Sequence, residues 1–202
     1  INVESGPLML QENVSLSAQA AIVISADDVA LAVGSSLKCS EPTCRIGIKS
    51  GQLTVQGNAS LSAETAISIL VGHATFAVGS SVACAQPRCW IDMYGNELLL
   101  MGNVSGGFCT LHACAVLSVN GNIRATGYAP FISASAVLVE GTGRIEAQKL
   151  CGPQSVDRGG GQIRVYYQQI GDQIPTPTTI SMCDGASPGS IAVKHGFAPY
   201  SP

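Results

Sequence analysis

The chain has 202 residues, 46% hydrophobic and only 11% charged, with a net charge of -3. Ten Lys and Arg against 13 Asp and Glu leave no basic stripe to compensate phosphates, which argues against nucleic acid as a partner. Apolar runs are broken by Ser, Gly, Asp or Asn well before the roughly 18 residues of a membrane helix, so no membrane span is expected.

The chain opens on Ile1 without a leader pattern and reads as a mature chain, a processed product or an excised piece. From Leu8, LMLQENVSLSA has an apolar alternation, a turn and a second alternating stretch. Ile22-Val23-Ile24 follows, then LAVGSSLKC from Leu31, Ile46-Gly47-Ile48, LTVQGNASLSA from Leu53 and Ile67-Ser68-Ile69. FAVGSSVAC begins at Phe76, Ile91-Asp92-Met93 comes next, and LLLMGNVSGG starts at Leu98. LSVNGNIRATG from Leu117 and LVEGTGRIEA from Leu138 continue the series. Alternation with period two marks strands with one buried face. The Ala-rich stretch SAQAAIVISADDVALAV holds enough Ile and Val to favour strand over helix.

The stretch from Glu12 to Cys39 recurs from Gly57 to Cys84, 45 residues later and without a gap. A fixed period of this kind signals a repeat architecture. Within it, equivalent triplets recur about every 22 residues. The expected fold is therefore all-β: a right-handed parallel β-helix of about 22 residues per coil, three short strands to a coil, with the 45-residue repeat spanning two coils. A β-sandwich shares short strands and Gly-rich turns, but does not repeat in register at half the period. Residues 1–150 are assigned to the coils, and residues 151–202 to terminal coils with a Gly/Pro-rich, disulfide-tied segment and a tail.

Eight Cys and three N-glycosylation sequons, at Asn13, Asn58 and Asn103, point to an oxidising, extracellular or cell-surface location. Residues one repeat apart would stand about 9.6 Å apart, beyond the Cα separation of about 6.8 Å that a disulfide tolerates. The bridges are therefore expected locally: Cys39 to Cys44, Cys84 to Cys89 and Cys109 to Cys114, with Cys151 to Cys183 tying the terminal segment. The C-x4-C spacing lacks the tight knuckle of zinc sites, and no metal or cofactor is expected. If occupied, the three sequons would form a row of N-linked glycans along one edge at two-coil spacing.

Past Cys151 the composition shifts. Gly159 to Gly161 precede an alternating strand, QIRVYYQ, then Pro175 and Pro177, a short strand from Ile191 to Val193 and the tail FAPYSP. No phosphate-loop Lys follows the glycine run. DRGGGQIRVYY resembles the glycine-run, basic, aliphatic, Tyr-Tyr segment of very large extracellular β-helix proteins of protists, algae and oomycetes; Gln162 stands at the basic position and Arg164 two residues later. GNASLSA from Gly57 and NGNIRATG from Asn120 are similar to coil motifs of that family. The resemblance implies a surface or fibre scaffold and assigns no catalytic residue.

The residues supply little for catalysis. Asp27-Asp28 is the best acidic pair, but strand neighbours point oppositely, and it reads as a solvated turn. Trp90 and Tyr94 flank Asp92 and read as isolated exposed aromatics, with a small sugar-stacking patch as the alternative. His73, His112 and His195 have no acidic or Cys partner at a defensible spacing. The expected function is an extracellular, non-enzymatic structural protein, part of a filament, appendage or surface coat that associates end to end. The alternatives are an adhesin-like or carbohydrate-binding module and a polysaccharide-active enzyme.

Overall fold

The computed structural model describes residues 1–4, 6–86, 89–125, 131–139, 144–148, 162–170, 178–180 and 190–195. The first coil holds β1 (Asn2–Glu4), β2 (Leu8–Leu10) and β3 (Ser15–Ala18). A long and a short strand then alternate: β4 (Ala21–Leu31), β5 (Ser36–Cys39), β6 (Arg45–Val55), β7 (Ser60–Ala63), β8 (Ala66–Phe76), β9 (Ser81–Cys84), β10 (Trp90–Leu100), β11 (Asn103–Gly106), β12 (Phe108–Val119), β13 (Asn122–Ala125), β14 (Phe131–Val139), β15 (Arg144–Gln148), β16 (Gln162–Ile170), β17 (Thr178–Ile180) and β18 (Ser190–His195). The long strands stack with β1 and β2 into a ten-stranded sheet, and the short ones into an eight-stranded sheet. Every pairing is parallel and joins one coil to the next, which makes the chain a right-handed parallel β-helix. No helix long and apolar enough to cross a membrane occurs among the described residues.

The expected three strands per coil become two. The IGI and LTV triplets lie in one strand, β6, and the matching triplets of β4, β8 and β10 are joined likewise. Each long strand turns a corner instead of breaking. At that corner the alternation of burial lapses: Asp27 and Asp28 are both exposed, as are Gly51 and Gln52 one coil on. The solvated turn expected at Asp27-Asp28 is this corner.

The core is a set of inward columns. Ile22, Ile46, Ile67, Ile91 and Cys109 form one; Leu31, Val55, Phe76, Leu100 and Val119 form another. Leu37, Leu61, Val82, Val104 and Ile123 line the facing sheet. All are buried, so each aliphatic side chain contributes about 1.5–3 kcal/mol through its removal from water. Successive coils advance by 24 and 21 residues in turn, as from Ile22 to Ile46 to Ile67, so the 45-residue repeat is two unequal coils.

Close stacking at the corner calls for glycine at Gly51 and most strictly at Gly72. A Cβ on Gly72 would lie 2.6 Å from the carbonyl oxygen of Gly51 in the coil before, whereas a Cβ on Gly47 would meet nothing within 4 Å. Gly72→Ala is expected to cost about 1–3 kcal/mol, as overpacking does. Gly47→Ala is expected to be neutral or to stabilise by up to about 1 kcal/mol. Urea unfolding midpoints of the two variants check the contrast.

Candidate functional site

Three surface features recur along the helix: a turn edge, a loop edge and an outward sheet face. At the turn edge, Asn13, Gly34, Asn58 and Gly79 follow β2, β4, β6 and β8 in successive coils, and all four have φ between 59° and 84°. This left-handed conformation is open to Gly and, among side-chain-bearing residues, is tolerated best by Asn and Asp. The two residue types alternate for a steric reason. The Asn13 carboxamide lies over Gly34, where it would collide with any Cβ, and Asn58 Oδ1 would lie 2.9 Å from a Cβ on Gly79. An Asn turn therefore needs a Gly turn above it. Ser35 and Ser80, next to those glycines, are buried and donate their hydroxyls to the carbonyls of Ala32 and Ala77 at 2.7 Å. That pairing accounts for the Gly and the first Ser of the recurrent GSS.

Asn103 leaves this row. It pairs with Ser81, two residues beyond Gly79, because the turn after Leu100 is two residues shorter than the turn after Phe76. It stands on β11 and accepts a 3.1 Å hydrogen bond from Asn122 Nδ2. The Asn13 and Asn58 positions fall at matching turns two coils apart; the Asn103 position falls in a strand column with Ser60 and Ser81.

The loop edge carries the disulfides. Cys39–Cys44 and Cys84–Cys89 are bridged, with Cα separations of 5.3 and 5.7 Å. Cys39 and Cys84 are two strands apart, with Ala63 between them. The expected Cys109–Cys114 bridge does not form. Both residues lie on β12, where five steps of extended chain separate them by roughly 16 Å, and Cys109 is buried while Cys114 is exposed. The bridged loop itself is missing from this coil. Gly106, whose Cβ would fall 3.3 Å from that of Cys84, leads through Gly107 directly into β12. The Cys151–Cys183 expectation lies outside the described residues, as do the Gly159–Gly161 run and the FAPYSP tail. β16, β17 and β18, from the 151–202 segment, continue the two sheets.

On the outward face of the ten-stranded sheet, Trp90 and Tyr94 are not isolated. Trp90 stacks on Phe108 of the next coil with centroids 4.2 Å apart and planes 6° apart, and Tyr94 meets His112 at 5.9 Å. His73, expected to lack an acidic partner, faces Glu97 with Nδ1 3.2 Å from Oε2. Both side chains are about half exposed, so the pair contributes little to stability. These partnerships were missed because an even 22-residue coil misplaces them; coils of 24 and 18 residues bring them together. Among the described residues no group of three or more His, Cys, Asp or Glu could hold a metal ion. Comparison with family models, with curated proteins and with solved structures returned no match.

Proposed function

We propose that the protein is an extracellular structural rod: a glycosylated β-helical segment or subunit of a filament, appendage or cell-surface coat. The observation that supports this reading most is the repeat of mechanical features at two-coil spacing. Asn-over-Gly turns and disulfide-closed loops recur along two edges of continuous parallel sheets. The Asn-over-Gly contact packs one coil on the next, and each bridge closes the loop between consecutive strands. The bridges suit an oxidising compartment.

The partly buried side chains of the first coil support end-to-end association. Leu16 and Ala18 of β3 are only partly buried, whereas their stacked equivalents Leu37 and Cys39 are buried. β-Strand edges also template further pairing. A further coil stacked there, from a neighbouring subunit or from more of the same polypeptide, would complete the core. The chain secreted from a eukaryotic host should show concentration-dependent growth in sedimentation, rods in electron micrographs and glycans on Asn13, Asn58 and Asn103. A monomer at every concentration with all three Asn bare would sink the proposal.

A further inference from the structure

The 45-residue repeat builds a slot on the outward face of the ten-stranded sheet. Arg45 and Trp90 occupy the same place in successive repeats, each immediately after a bridged loop, and Ala66 stands between them in the same column. Four residues along, Lys49 and Tyr94 flank Leu70 in the same way, and Gly47 and Asp92 flank Ser68. The outward residues of β8 are thus a floor of Ala66, Ser68 and Leu70. One wall is cationic, Arg45 and Lys49; the other is aromatic, Trp90 and Tyr94.

The dimensions fit a sugar ring. Two strand spacings separate the walls by about 9.6 Å. Van der Waals contacts of about 3.5–4.0 Å on each side of an inserted ring occupy most of that width. Trp90 stacks nearly parallel on Phe108, its neighbour along the helix axis, so its opposite face is turned toward the slot; Trp90 remains 48% exposed. A pyranose offers an apolar C–H face to such a ring and hydroxyls to Ser68 and Asp92. The cationic wall selects for carboxylate. Arg45 and Lys49 are exposed and form no ion pair among the described residues, and a guanidinium forks onto a carboxylate with two charge-assisted hydrogen bonds. Asp92, half-buried on the aromatic wall, repels a carboxylate toward the opposite side and so sets the ring's orientation. Beside Lys49 and Leu70 the slot opens into a depression of about 660 Å³ that also takes in Ser25, Asp27 and Ser50, giving a chain of sugars a way out.

We propose that this slot binds a carboxylated glycan, a run of uronate residues lying along β8. The assignment is independent of the structural role proposed above. Trp90 is the chain's single Trp, so its fluorescence reports the slot directly. Titration of the full chain with oligogalacturonate should give a saturable fluorescence change that weakens several-fold as salt is raised. An uncharged galacto-oligosaccharide should bind at least about tenfold more weakly. The double variant Arg45→Gln/Lys49→Gln should lose affinity by at least about tenfold with its thermal unfolding unchanged. Ser68→Glu, which adds a like charge to the floor, should lose binding independently. No saturable change with oligogalacturonate overturns the proposal, as does equal affinity for the neutral sugar or undiminished binding by either folded variant.

Discussion

Phe76→Ala is expected to destabilise the protein by about 3–5 kcal/mol, the cost of deleting a large side chain from a core that cannot close around the void. Phe76 is 1% exposed and stacks between Val55 and Leu100 in adjacent coils. Strands on both sides hold those neighbours in hydrogen-bonded register, which limits collapse into the cavity. The same truncation at Leu16, only partly buried on β3, is expected to cost about 1 kcal/mol, because less apolar surface returns to water. In a solenoid each coil touches only its neighbours, so the loss at Phe76 also weakens coupling between the coils on either side. Guanidinium unfolding should show a lower midpoint for Phe76→Ala and, if the halves uncouple, a broader transition. Equal midpoints for the two variants would contradict the column packing.

Raising the pH should destabilise the protein through a group that a bridged chain would not possess. Cys109 is buried in the Ile22–Ile91 column, and burial, with the Asp92 charge adding to it and a Gly106 backbone hydrogen bond opposing it, pushes its thiol up to about 12 from an ordinary 9.0. In the unfolded chain the thiol ionises near 9.0; in the folded chain it stays protonated. Its contribution to stability is therefore complete below pH 9 and is lost progressively as pH rises toward 12. Three pH units correspond to about 4 kcal/mol. Urea unfolding at pH 8 and pH 10.5 should show a fall of about 2 kcal/mol that is much reduced in Cys109→Ala, although Tyr and Lys titrate in both proteins. Iodoacetamide should label exposed Cys114 in the native state and Cys109 only after unfolding. Parallel pH slopes in the two proteins would refute this account.

The repeat made the architecture legible. Period-two alternation at Ile22, Ile46 and Ile67 could only bury one face, and recurrence every 45 residues could only bury it against copies of itself. The local bridges were legible as well, since two-coil spacing rules out Cys39 to Cys84 and leaves Cys39 to Cys44. The Cys109–Cys114 bridge failed because a C-x4-C spacing says nothing about whether the intervening residues loop out or run straight. Here CTLHAC is part of β12, and hydrogen bonding to β10 and β14 holds it extended.

Residue type at fixed spacing was enough for the fold class, the two-coil period and two of the disulfides. How coils of 24, 21, 24 and then 18 residues align came from the three-dimensional packing alone. Coil length is set by how many residues bulge into turns and loops, and a turn can lose residues while its flanking strands keep their pattern. That register moved Asn103 out of the turn row, placed His73 opposite Glu97, stacked Trp90 on Phe108 and set Arg45 across Ala66 from Trp90. It also explains why the repeat is 45 residues and not half that: an Asn side chain in a left-handed turn fills the space where the next coil's Cβ would be, so the coil above it must carry Gly.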